Sequence, residues 1–221
     1  MNKNSEDQVA RFKLAEEDQF FERKSAWDRS GKRPKPRKLK DIAMNVAETI
    51  CAMANADGGE LVVGLENDGT ETGIKLPEKK IQFLLRIPHD RNYLNPVAPC
   101  KTKLINSSEG HLLLHYDISW SPTVHLLADS RCLLRVRNQN MPFASNDVAA
   151  LKAAKNQGLF ERSFPPSATL EDIDLTLLTS IGEKSWVGQE PLDVLSRYGL
   201  IEHRNGQAIP NPTSEFCHHG S

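Results

Sequence analysis

No stretch of the sequence supplies the roughly 18 uninterrupted apolar residues that a membrane-spanning helix needs. The opening residues, Met1-Asn2-Lys3-Asn4-Ser5-Glu6-Asp7, lack the apolar core of a signal peptide. With neither span nor leader legible, a cytoplasmic protein with no membrane partner is expected. Cysteine is sparse: Cys51, Cys100, Cys132 and Cys217 are scattered without a CxxC pair, which argues against a zinc ribbon and calls for no disulfide framework. They read as small buried hydrophobes of a reducing compartment. No glycine-rich phosphate loop occurs, and no charge dominates. Lys and Arg number 28 against 29 Asp and Glu, a formal net charge of −1, so any grip on nucleic acid must come from a local patch.

What is present fits one core of about 150 residues plus a small appendage within the 221 residues. Residues 1–16 are polar and are expected to form a flexible N-terminus. Gln19-Phe20-Phe21-Glu22-Arg23-Lys24 reads as a short strand with aromatic anchors. Between Leu39 and Asn55 the apolar residues Ile42, Val46, Ala47, Ile50, Met53 and Ala54 recur at steps of three and four, which predicts a helix with one buried stripe. Asn55 to Gly59 ends it, Glu60 to Glu66 is a nearly continuous apolar strand, and Asn67-Asp68-Gly69 turns into a second short strand near Thr72 to Ile74. Pro77 to Arg86 predicts a helix, and Pro88 to Pro99 is irregular. Strands at 100–105, 111–118, 123–127 and 132–137 suggest an antiparallel sheet. A helix from Ser145 to about Asn156 follows. Beyond Phe164-Pro165-Pro166, helices at 170–181 and 191–198 and a strand-turn at Ile201 to Gln207 form a separate appendage over 168–210, compatible with a partial winged-helix-like module. Residues 211–221 read as a flexible tail.

Two charged features carry chemistry. Seven Lys or Arg fall among the twelve residues from Arg29 to Lys40, namely Arg29, Lys32, Arg33, Lys35, Arg37, Lys38 and Lys40. Pro34 and Pro36 keep that run extended, so it suits phosphate neutralisation by counterion release, with a solvated loop as the bland alternative. Arg135 and Arg137 stand two apart on an expected strand, so they share one face, taken as exposed, while Leu134 and Val136 face the core. His111, His115 and His125 match no zinc spacing and are assigned no ligand role.

The run Ala52-Met53-Ala54-Asn55-Ala56-Asp57-Gly58-Gly59-Glu60-Leu61-Val62-Val63-Gly64 resembles the AFAN-x-x-GG-x-x-x-x-G signature of the Schlafen AlbA family. Upstream Glu17-x-x-x-x-Glu22-Arg23-Lys24 and downstream Leu134-Arg135-Val136-Arg137 with Ala144-Ser145 are similar to that family's flanking pieces, in its order. The resemblance implies an α+β fold over 17–160, with a mixed or antiparallel sheet flanked by helices. It implies a DNA- or RNA-binding module, often transcription-regulatory, with Lys24, Asn55, Arg135, Arg137 and the basic residues Lys32, Arg33, Lys35, Arg37 and Lys38 contacting nucleic acid. A homodimer is compatible with it.

Some similar proteins cleave RNA with two glutamates and a further acidic residue. Here these fall on Glu17 and Glu22 with Glu66 or Asp68, a set suited to Mg²⁺ or Mn²⁺. The position that aligns with the third carboxylate is Asn67, a neutral amide, which weighs against catalysis. A nucleotide-binding regulator is the third reading that the resemblance offers, and the missing phosphate loop ranks it last.

Overall fold

Helix α2 is the element on which the fold is built, and its boundaries, Leu39–Asn55, are those that the apolar periodicity predicts. In the computed structural model, which describes residues 3–165, 167–185, 190–204 and 207–211, Ile42, Val46, Ile50 and Met53 are buried along one stripe. Asp41 lies in the first turn, where a carboxylate complements the positive end of the helix.

Before α2 come helix α1 (Lys3–Leu14), strand β1 (Phe21–Lys24) and a two-rung hairpin of β2 (Trp27–Asp28) and β3 (Lys35–Pro36). After it come β4 (Gly59–Val63), α3 (Glu78–Arg86), β5 (Leu94–Asn95), β6 (Cys100–Asn106), β7 (Leu112–Ile118), β8 (Leu126–Leu127), β9 (Cys132–Val136) and β10 (Gln139–Phe143). The C-terminal part adds α4 (Val148–Glu161), α5 (Leu175–Ser185), α6 (Pro191–Arg197), β11 (Ile201–Arg204) and β12 (Gln207–Pro210). The expected Asn205-Gly206 turn and the tail from residue 212 lie outside the described residues.

The central sheet has the order β1-β4-β7-β6. It is mixed: β1 runs parallel to β4, while β4–β7 and β7–β6 are antiparallel. Period-two alternation divides its side chains between two faces. Leu61, Val63, Leu114, Tyr116 and Ile118 pack with α2 and α3 in the main core. Val62, Leu113 and Ile105 face the other way and are covered by Val9 and Phe12 of α1.

That cover corrects the expectation of a flexible N-terminus. Within a polar segment Val9 and Phe12 are three apart, so one turn of helix presents both to the sheet. Fully burying each contributes about 1.5–3 kcal/mol relative to exposure. A second correction concerns β9. Leu133 and Arg135 point inward, Leu134 is half-buried and Val136 is 47% exposed, so the predicted facing of this strand is reversed. β9 pairs with β10, a strand that the sequence pattern did not reveal.

The C-terminal segment packs back onto the sheet. The Trp120 amide donates to the Arg197 carbonyl at 2.7 Å, and Phe20 meets Tyr198 edge-on. No described helix is long and apolar enough to cross a membrane.

Candidate nucleic-acid interface

The turn from α2 into β4 is held by backbone geometry. Gly58 and Gly59 have φ of +82° and +149°. A Cβ at Gly58 would lie 2.5 Å from the Ile118 carbonyl oxygen, and one at Gly59 would lie 2.6 Å from that of Phe20. Only glycine lets the helix end come this close to β7 and to the start of β1. Asn55, buried, spends its amide on the backbone: Nδ2 donates to the carbonyls of His125 (2.8 Å) and Leu133 (2.9 Å), and Oδ1 accepts the His125 amide at 2.7 Å. Asn55 therefore ties α2 to the β8–β9 region and presents no edge to solvent.

The His125 ring is fixed as firmly. Nδ1 faces the Pro96 carbonyl at 2.8 Å and so must donate, which leaves Nε2 to accept from the Ser121 hydroxyl at 2.7 Å. Burial then pulls its pKa below the ordinary histidine value.

The family's carboxylates are already engaged by the protein, each in its own place. Glu22 is buried and forms ion pairs with Arg135 and Lys24. Glu17 accepts the Arg23 amide at 2.9 Å. Glu66 accepts from the hydroxyls of Ser25 and Thr72, both at 2.7 Å, and Arg29 lies 3.9 Å away. Asp68 is exposed and caps the Thr70 amide at 2.9 Å, which holds its pKa below the usual carboxylate range. Among the described residues no three of these four oxygens converge within metal-ligand reach of one another. They therefore do not fit a divalent cation as they stand, and no step of phosphodiester cleavage is routed through one. Asn67 is exposed beside them.

The basic residues separate into two kinds. Lys24 is bound to Glu22. Arg135, 2% exposed, donates to Asp18 O at 2.8 Å and to Asn140 Oδ1 at 2.9 Å besides its pair with Glu22. It is a strut between β9 and β1, which corrects its placement on an exposed face. Arg37 donates to Ser25 O and Asn45 Oδ1, anchoring β3 to α2. In contrast Lys32, Arg33, Lys35 and Lys38 are exposed on and beside the β2–β3 hairpin. Of these only Lys35 has an ion-pair partner among the described residues, Asp28 at 3.4 Å. Two hydrogen bonds from Ser30 pull the Asp28 carboxyl down to about 2, so it remains an anion there. Arg137 is exposed on the β9–β10 turn with φ +55°, its amide held by Gln19 Oε1 at 2.7 Å.

Beside the hairpin lies an open cleft of about 550 Å³ lined by Trp27, Arg29, Lys35, Pro36, Arg37 and Lys38 together with the acidic Asp28 and Asp41. The half-buried Trp27 indole donates to the carbonyls of Thr72 (3.1 Å) and Gly73 (3.0 Å), and Lys75 sits over its ring at 5.5 Å. Trp27 was not among the candidates read from sequence, although an aromatic just before a basic run is the signal that points to it.

On the opposite face of the sheet a second polar cluster also escaped notice. Glu60 takes a bidentate pair from Arg11 (2.7 and 2.8 Å) and a hydrogen bond from His115 at 3.0 Å. Arg197 reaches Asp117 at 3.0 Å. A glutamate inside an otherwise apolar strand was the available clue.

Among curated proteins none matches the chain. One solved structure with a similar course is the DIP2311 protein of Corynebacterium diphtheriae, 20% identical, with a TM-score of 0.47 over 87% of this chain and 34% of that one. The present chain thus spans about a third of that protein's length. The family model described as Schlafen, AlbA_2 matches residues 17–144, more than half of the 221 residues and the whole sheet that carries the signature turn, so the chain belongs to the Schlafen AlbA_2 family.

Proposed function

We propose that this chain binds the sugar-phosphate backbone of DNA or RNA through the β2–β3 hairpin and its cleft. The observation that carries the reading is the set of exposed cations Lys32, Arg33 and Lys38, which have no ion-pair partner among the described residues, grouped with Lys35 on and beside the hairpin that Arg37 anchors. A cation already paired within the fold gains little from a phosphate. An unpaired one releases a condensed counterion when it binds. Membership of the AlbA_2 family supports the same class of ligand. Arg37 acts in this reading by holding the hairpin, and Arg135 and Asn55 by holding the sheet that supports it.

The test is fluorescence anisotropy with labelled tRNA and duplex DNA across a salt series, with a parallel gel to read cleavage with and without Mn²⁺. The expected result is saturable binding whose log–log salt slope is about −3. Replacing Lys32, Arg33, Lys35 and Lys38 together by Gln abolishes most of that slope. Binding that is absent, or insensitive to salt and to the fourfold change, overturns the proposal.

A further inference from the structure

We propose that Glu71, Glu109 and His111 form a binding site for one divalent transition-metal cation, away from the hairpin and from the family's carboxylates. One donor atom from each of the three lies within 4.8 Å of the others. His111 Nδ1 is 3.5 Å from Glu71 Oε2 and 3.9 Å from Glu109 Oε2. Ligands bound at about 2.0–2.2 Å around a tetrahedral ion stand about 3.3–3.6 Å apart, so these atoms need only small movements to share one.

The independent observation is that two atoms facing this point are buried without a hydrogen bond. Glu71 Oε2 and His111 Nδ1 are both in that state, and the Glu71 side chain is only 2% exposed. Buried polar atoms in folded proteins are almost always satisfied, and a missing ion is one of the standard reasons for an orphan. Here the carboxylate oxygen and the imidazole nitrogen face each other at 3.5 Å, an ion-pair contact without hydrogen-bond geometry.

The surrounding groups hold the donors in place. Lys13 Nζ bonds the other oxygen of each carboxylate, Glu71 Oε1 at 3.1 Å and Glu109 Oε1 at 2.8 Å. The two Oε2 atoms are left for the ion, and Lys13 acts as an orienting partner of its ligands. The β6–β7 turn that carries Glu109 and His111 is closed by the Ser107 amide on His111 O (2.9 Å) and the His111 amide on Ser107 Oγ (3.1 Å). Glu71 is placed by its bridge to Leu65. An imidazole among the donors favours Zn²⁺ over Mg²⁺ or Ca²⁺, which prefer all-oxygen sets. The three residues come from two separate hairpins, so no sequence spacing announces them.

The experiment is titration of the chelator-treated full chain with ZnCl₂, followed by calorimetry and by thermal unfolding, on the wild type and on Glu109→Gln and His111→Gln. Both substituted side chains reach the surface, so both variants keep the metal-free unfolding midpoint. The expected result is one equivalent bound with a rise in midpoint, and a loss of affinity of at least about tenfold in each variant. If zinc does not bind, or if both variants bind it as tightly as the wild type, the proposal falls. Stabilisation by Mg²⁺ equal to that by Zn²⁺ overturns the assignment to a transition metal.

Discussion

Glu22 on β1 and Arg135 on β9 form an ion pair whose side chains are 4% and 1% exposed. The pair joins the edge of the central sheet to the β9–β10 hairpin. Because neither charge can reach water, removing Glu22 leaves Arg135 with neutral acceptors alone and removing Arg135 leaves Glu22 with Lys24 alone, at a cost of about 3–5 kcal/mol. Glu22→Gln and Arg135→Met singly are therefore expected to lower the urea midpoint strongly, and the double replacement Glu22→Leu with Arg135→Met to recover much of the loss. A Glu22→Gln variant as stable as wild type would show that the pair is not structural. Loss of any activity in that variant is interpretable only beside its stability.

Asn55 closes three backbone groups that no water reaches. Asn55→Leu keeps the size but takes the partner from the His125 amide and the Asn55 donor from the His125 and Leu133 carbonyls, the first of which keeps only the weak Cys51 thiol, a destabilisation on the order of 3 kcal/mol. Hydrogen exchange provides a local check: the His125 amide, protected in the wild type, is expected to exchange faster in the variant than at residues elsewhere in the core. Uniform exchange across both proteins would refute the bracing role.

Glu60 sets the acid limb of stability. Burial penalises its charge, yet hydrogen bonds from His115 and Arg11 and the charge of Arg197 outweigh that and hold the carboxyl well below the usual glutamate value. A carboxyl depressed by folding contributes stability above its unfolded pKa of about 4.3 and loses it as pH falls further. Denaturant unfolding at pH 7 and at about pH 3 is expected to show a steep decline in the wild type and a flatter one in Glu60→Gln, which starts less stable. Parallel profiles would sink the assignment.

The alkaline limb has a different origin. Burial pushes the Cys51 thiol up to about 12 and Cys100 well above its ordinary value. Between roughly pH 8.5 and 10.5 an unfolded chain releases these protons while the native one keeps them, so stability falls with rising pH. Lys155, lowered to about 8 by burial, acts in the opposite sense over the same range. Cys100→Ala is expected to shallow the decline, and an unchanged slope would assign it elsewhere.

Arg37 and Arg33 lie on either side of β3 and differ in role. Arg37→Gln is expected to lower thermal stability through the lost bonds to Ser25 and Asn45, whereas Arg33→Gln leaves the midpoint unchanged and reduces the salt slope of nucleic-acid binding by about 1. Equal effects of the two changes on both measurements would erase the distinction.

The elements that were legible in the sequence are those whose period and punctuation agree. α2 shows one stripe and a Gly-Gly stop, and its observed span is the predicted one. β6 and β7 begin and end within one residue of expectation. α1 was missed because its four apolar residues in twelve, of which only Val9 and Phe12 are buried, leave its average polar, and a helix can dock by a single turn. The facing of Arg135 was misread because strand alternation has two phases, and a long-range partner, Glu22, selects the one that buries a charge. The basic hairpin could be found as a run of charge, but its division into anchoring Arg37 and free Lys32, Arg33 and Lys38 depends on backbone acceptors far away in sequence. The Glu71–Glu109–His111 cluster was not legible, since it is assembled by the meeting of two turns.

The close approach at Gly58 and Gly59 has a consequence for how relatives are recognised. A side chain there would strike carbonyls on two neighbouring strands, so the residues that make up the signature report how a helix is stacked on a sheet. A comparison keyed to them sorts proteins by architecture and is blind to the charges hung on the adjoining loops, where chemistry diverges freely. Kinship detected through this turn and similarity of ligand are separate questions, to be answered by different residues.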